Sequence, residues 1–276
     1  MNIKSLIQRH PVVSYFVMTY IISWLAALLV AAPQLVQGKP LGQLQGILMF
    51  PAMLLGPSIT GITLTAVVDG RSGLRDLFAR MGRWRVGIQW YALAILIPPV
   101  VILAVLLTMR MVVSPIYTPG QFVYGAGFGV VAGFFEEIGW TGYAYPKMRE
   151  QRSPLAAAVL LGVLWGLWHM PVVDFLGAAW PHGAYWSPFF LAFIALVTAM
   201  RVLISWVASN TQSVLLAQLM HASSTGFLAT LSPSPLSPAH EALWYAVYAG
   251  ALWLVVVLVA VTFGKTLMGR SSLAAA

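Results

Sequence analysis

The chain has no cysteine. That removes disulfides, thiolate metal ligands and thiol nucleophiles, and it leaves the redox compartment unread. Charge is scarce as well: 8% of the 276 residues are Asp, Glu, Lys or Arg, against about 25% in a soluble domain. No polar stretch is long enough to enclose a core of its own, so the chain reads as one transmembrane domain over 1–276. Signature loops are missing too. There is no G-x-S-x-G elbow beside any candidate serine, no H-E-x-x-H and no glycine-rich phosphate loop, which weighs against serine hydrolases, zincins and nucleotide enzymes.

What is present is mostly apolar, with 60% of residues hydrophobic. Runs of about 20 apolar residues cross a bilayer as helices, because a helix satisfies its own backbone where no water can. Eight runs read as spans, over 11–32, 46–68, 88–112, 121–146, 154–174, 186–208, 211–231 and 241–263. The expected fold class is all-α: a polytopic membrane protein with about eight transmembrane helices plus a short amphipathic surface helix. That surface helix comes from the stretch Gly70 to Arg85, where Leu74, Leu77, Phe78 and Met81 recur at helical spacing opposite five arginines. Lys4 and Arg9 before an apolar run imitate a signal peptide, but the run from Val12 to Ala32 is longer than an h-region and reads as retained. Pro98 and Pro99 should bend the third span, with neighbours satisfying the freed carbonyls. The Pro-rich stretch Ser232 to Pro238 reads as a connector.

A net charge of +8 raises nucleic acid as a partner, but the bases cluster beside span ends, so membrane lipids are the expected partner and nucleic acid is not. Placing the N-terminus inside puts 12 bases on the inner side: Lys4, Arg9, Arg71, Arg75, Arg80, Arg83, Arg85, Lys147, Arg149, Arg152, Lys265 and Arg270. Only Lys39 and Arg110 fall outside. Both termini are therefore expected in the cytoplasm of a bacterial or archaeal cell, with the protein in its plasma membrane. Arg201, inside the sixth span, either snorkels or pairs with an acid in the bundle. Asp174, His182, His240 and Glu241 are expected solvated or interfacial in outer loops, and Trp90, Trp180, Trp186, Trp206 and Trp244 suit interfacial belts. Oligomeric state is unread.

Against this background Glu136 and Glu137 stand out, adjacent in the fourth span. A carboxylate at the bilayer centre costs roughly 2.5–3.5 kcal/mol on insertion scales, so two require a polar interior with partners. His169 and His221, in spans five and seven, are the candidates. Neighbouring helical residues point about 100° apart, so one glutamate meets the reacting centre while the other braces it. Trp165 lies one turn before His169, and Thr225 one turn after His221, each on the same face. Two mechanisms fit these residue types. In one, His169, His221 and Glu136 hold zinc or another divalent metal that acidifies water to a pKa of about 7, with Glu137 as base or orienter. In the other no metal is needed: Glu136 takes a proton from water held with His169, while His221 and a hydroxyl stabilise the oxyanion. Buried Glu and His also build proton relays, so a proton-coupled transporter competes, although no internal repeat supports one.

These motifs resemble the CAAX prenyl protease type 2 family, also called the CPBP or ABI family of intramembrane proteases. The family pattern is EExxxR, then FxxxH, then HxxxN. Here it stands as Glu136-Glu137-Ile138-Gly139-Trp140-Thr141, Trp165-Gly166-Leu167-Trp168-His169 and His221-Ala222-Ser223-Ser224-Thr225. The similar region covers approximately 120–232. The resemblance implies an eight-span fold with a site open toward the cytoplasm, and hydrolysis of a peptide bond in a membrane-associated peptide or protein, with or without a lipid. It implies Glu136 as water activator, Glu137 as its partner, and His169 and His221 as the rest of the core; metal dependence stays open. Two positions depart: Thr141 replaces the arginine that would neutralise Glu137, and Thr225 replaces the asparagine. Glu137 is then expected to find Arg201, take up a proton, or bind metal directly. Thr225 still has one hydrogen-bond donor for an oxyanion, and Trp165 in place of phenylalanine reads as a packing change. A catalytically silent immunity or scaffold protein with the family fold is the competing class.

Overall fold

The computed structural model describes residues 2–175 and 182–269. Trp180 and Arg270 lie outside the described residues, as does the side chain of Asp174. The helices are α1 (Ile3–Arg9), α2 (Pro11–Val36), α3 (Gln43–Leu64), α4 (Gly70–Met81), α5 (Ile88–Val112), α6 (Gly125–Gly139), α7 (Tyr145–Arg149), α8 (Pro154–Trp168), α9 (Trp186–Thr211), α10 (Val214–Leu231) and α11 (Pro238–Phe263). Wider π-helical turns occupy Thr65–Asp69, Trp140–Ala144 and Pro171–Phe175. No strand occurs among the described residues, so the fold is all-α.

Among the described residues 7 helical stretches are long and apolar enough to cross a membrane. The remaining expected span, the fourth at 121–146, is not a single apolar helix. It is built from α6, the π turn Trp140–Ala144 and α7, and its two glutamates lower its hydropathy. The amphipathic α4 continues from α3 through Thr65–Asp69. It seats Leu77 in the interior while Phe78 stays exposed, and Arg80 donates to the Gly142 carbonyl at 2.9 Å.

Proline frees carbonyls inside two spans, and serines on neighbouring helices take them up. Pro57 leaves the Met53 oxygen without its helical donor, and Ser23 Oγ of α2 donates to it at 2.7 Å. Pro99 does the same to Ile95, whose oxygen accepts from Ser223 Oγ of α10 at 2.8 Å. The closest helix pairing depends on absent side chains. Gly125, Gly129 and Gly133 line one face of α6 against α10; a Cβ on Gly129 would stand 2.2 Å from the Ala222 oxygen. Lipid offers no hydrophobic drive between spans, so small residues that let backbones approach set such interfaces. This seam brings the acidic end of α6 beside the middle of α10.

Cross-bonds identify two ends of the bundle. At the basic end, Ser213 Oγ donates to the Arg83 oxygen at 2.7 Å and Lys147 pairs with Asp69 at 2.8 Å. At the other end, the Phe122 amide donates to the Thr230 oxygen at 3.0 Å, and His182 pairs with Glu241 at 3.2 Å. His182 is buried and stacked on Phe189, so it is not the solvated loop residue expected. Trp206 and Trp244 are buried against neighbouring helices, each within two turns of the end of its own helix.

Candidate active site

The glutamates sit in the last turn of α6, where Gly139 allows the chain to pass close to α3. A Cβ on Gly139 would stand 2.3 Å from the Pro57 oxygen. Glu136 and Glu137 then diverge, as adjacent helical positions must, and their surroundings differ completely.

Glu137 is fully enclosed, with 0% exposure of its side chain. Its Oε1 accepts from Arg201 Nη2 at 2.7 Å and from His221 Nδ1 at 2.7 Å. Its Oε2 accepts from Arg201 Nη1 at 2.8 Å and from the Thr141 hydroxyl at 2.5 Å. A carboxylate offers about four lone-pair positions, and these four bonds use them all. Glu137 has nothing left for a substrate; it braces. Arg201 is equally enclosed, which settles its alternatives in favour of pairing over snorkelling, since α9 runs through the interior.

Glu136 faces the other way. Its Oε2 accepts two indole N–H bonds, from Trp140 at 3.0 Å and from Trp165 at 2.7 Å. Its Oε1 lies 4.0 Å from His221 Nε2. Trp165 also lies beneath the Arg201 guanidinium, 4.5 Å from ring centroid to Cζ. The expectation of a mere packing change at Trp165 is therefore corrected: its N–H, which phenylalanine lacks, bonds Glu136, while its ring face meets the Arg201 that holds Glu137.

The histidine tautomers follow from their partners. His169 closes α8 as its C-cap residue, with Nδ1 2.8 Å from the Trp165 carbonyl oxygen. A carbonyl accepts only, so Nδ1 carries the hydrogen and a neutral ring keeps its Nε2 lone pair. Glu137 imposes the same tautomer on His221. Ser224 caps the arrangement by donating to the His221 oxygen at 3.0 Å.

Glu136, His169, His221, Trp165 and Thr225 line one cavity of about 210 Å³, whose remaining wall, Ser224 and Tyr248 apart, is apolar, including Phe50, Phe193, Met200 and Leu228. Glu137 and Thr141 are not on its wall. The cavity extends from the acids toward the bundle end carrying the Phe122–Thr230 and His182–Glu241 cross-bonds, because Phe50 and Phe193 lie near the starts of α3 and α9 and Leu228 near the end of α10. Among the described residues no three His, Asp or Glu side chains form a metal-holding group. Nitrogen and oxygen donors from Glu136, His169 and His221 face the cavity, with His221 Nε2 and Glu136 Oε1 4.0 Å apart.

Sequence reasoning singled out Glu136, Glu137, His169 and His221; the structure places Glu136, His169 and His221 on one cavity, with Glu137 bonded to His221 behind it. The same reasoning missed Trp140, whose signal was its place one turn after Glu136, and the glycine repeat at 125, 129 and 133. Residues 118–227 match a family model described as type II CAAX prenyl endopeptidase Rce1-like. The chain is also 26% identical over 221 residues to "CAAX prenyl protease 2" of Methanococcus maripaludis, covering 75% of this chain and 79% of that protein.

Proposed function

We propose, from a chain similar to the type 2 CAAX prenyl proteases, that this protein is an intramembrane endopeptidase. It hydrolyses a peptide bond in a membrane-associated peptide or protein by means of a water activated at Glu136. One observation carries the reading. Glu136 Oε1 and His221 Nε2, 4.0 Å apart, face the same apolar cavity, while Glu137 behind them is saturated by Arg201, Thr141 and His221. Atoms at that separation both reach one water with bonds of about 2.8 Å.

Glu136 takes the proton as that water attacks the carbonyl. Charge counting supports a role for His221 in the same step. Two carboxylates and one guanidinium sum to −1, and an imidazolium at His221 brings these four side chains to zero, so a proton passed there from Glu136 leaves the oxyanion as the single uncompensated charge, beside the imidazolium. Glu137 plays toward His221 the part of a triad acid: it fixes the ring and balances the imidazolium. The His221 Nε2 hydrogen and the Thr225 hydroxyl then face the developing oxyanion, and the proton goes on to the leaving amine. His169, on the same cavity wall, keeps its Nε2 lone pair for the water because Nδ1 is bound to the Trp165 carbonyl. The apolar wall excludes bulk water and suits an extended apolar peptide.

Orientation belongs to the same proposal. With the 12 bases inside, both termini are cytoplasmic and the cavity extends into the outer half of the bundle. That departs from the cytoplasmic opening implied by the family resemblance. The test is peptide cleavage in proteoliposomes with metal analysis of the purified protein. Glu136→Gln and His221→Ala should each abolish cleavage, and His169→Ala should reduce it at least about 100-fold, with expression unchanged. Cleavage that survives Glu136→Gln would defeat the proposal, and no cleavage by the intact chain would leave a silent scaffold. Stoichiometric metal lost in His221→Ala would move the mechanism to a metal-bound water.

A further inference from the structure

Thr141 occupies the position one turn after Glu137 where the family pattern carries a base. A threonine cannot neutralise a carboxylate, yet Glu137 is held by a full bidentate guanidinium with Nη2–Oε1 at 2.7 Å and Nη1–Oε2 at 2.8 Å. That guanidinium arrives from α9, 64 residues further along the chain. It does more than pair. Its Nη1 lies 3.4 Å from the Thr141 hydroxyl, which itself donates to Glu137, and its Cζ lies 4.5 Å over the ring of Trp165, the indole that donates to Glu136. One side chain thus contacts the holders of both glutamates.

We infer that Arg201 is a positioning residue for the hydrolytic site: it supplies from α9, with Thr141 as an accessory, the fixed positive charge that sets Glu137 and through it His221. The inference rests on the reading above and adds a helix to the machinery. It also removes the main objection to activity, since the threonine at 141 marks a relocated charge rather than a lost one. Arginine is required there because Glu137 takes two parallel N–H bonds while Trp165 takes the guanidinium face. An ammonium is a point charge and offers neither the fork nor the plane.

Relocation has a direct test. The guanidinium of Arg201 lies against the Thr141 hydroxyl, so one grown from position 141 enters the volume vacated by Arg201→Ala. Cleavage in proteoliposomes is compared for the intact chain, R201A, R201K, T141R and R201A/T141R, with E136Q as the inert reference and thermal midpoints alongside. R201A should lose about 100-fold or more in kcat with KM changed less than about threefold, the signature of a misplaced catalytic group. R201K should recover only part of the loss, about tenfold below the intact chain. R201A/T141R should return to within about tenfold of it, while T141R alone, with two guanidiniums crowded on one carboxylate, should slow cleavage. A merely structural role for Arg201 would lower the midpoint without splitting kcat from KM. If R201A does not accumulate, the R201K and double-variant arms carry the same comparison.

R201A cleaving as fast as the intact chain would overturn the inference. So would a folded double variant no better than R201A. If not even the intact chain cleaves, the hydrolase reading has failed, and the midpoints still decide the pairing. A midpoint lost in R201A and regained in the double variant supports it, and one not regained overturns it.

Discussion

Trp165 does at the scale of one residue what a phenylalanine in its place could not. Its Nε1 donates to Glu136 at 2.7 Å and its face lies under Arg201. Trp165→Phe keeps the ring's bulk and removes the N–H alone. A hydrogen bond to a charged group contributes about 1.5–3 kcal/mol, so kcat should fall roughly 10- to 100-fold with little change in KM, as steady-state kinetics would show. An unchanged kcat would return Trp165 to packing. The neighbouring indole of Trp140 shares the same oxygen, which caps the expected loss: Glu136 keeps one anchor.

At the scale of elements, the site exists because α6 and α10 touch backbone to backbone. The seam is specific to certain glycines. Gly129→Ala would force a Cβ to within 2.2 Å of the Ala222 oxygen and 2.5 Å of the Gly226 amide nitrogen, and overpacking of this kind costs about 1–3 kcal/mol. Gly127→Ala, two residues earlier on the same helix, meets nothing within 4 Å and should be neutral or slightly stabilising. Thermal unfolding in detergent should separate the two variants, with activity falling in Gly129→Ala because the glutamates of α6 shift against His221. Equal midpoints would mean that the seam is not tight. The same scale explains the interrupted fourth span. The wide turn Trp140–Ala144 follows the glutamates directly, and insertions of this kind in helices recur at functional sites.

For the whole molecule, the absence of cysteine becomes an experimental advantage. Ser72, exposed at the basic end, and Thr118, exposed at the opposite end, each accept a single introduced cysteine on a thiol-free background. In intact cells an impermeant thiol reagent should label Thr118→Cys, and should reach Ser72→Cys only after lysis. The reverse pattern would invert the orientation and turn the cavity toward the cytoplasm. The outcome bears on substrate, since the cavity mouth decides whether a peptide arrives from the cytoplasm or from the outer leaflet side.

Much of this protein was determined by local sequence. Apolar run length dictates a helical membrane bundle wherever water is absent, and the span 88–112 coincides with α5, Ile88–Val112. An intramembrane acid demands partners whatever the fold, which is why Glu136, Glu137, His169 and His221 were legible as a set. Tertiary structure decided what periodicity cannot carry: which acid faces the cavity, which guanidinium finds Glu137, and which end of the bundle the cavity occupies. Arg201 lies 64 residues from Glu137, and no pattern local to either one encodes that contact. It arises because the glycine seam, the buried run of α9 and the turn after Gly139 together leave one enclosed place where those charges can meet.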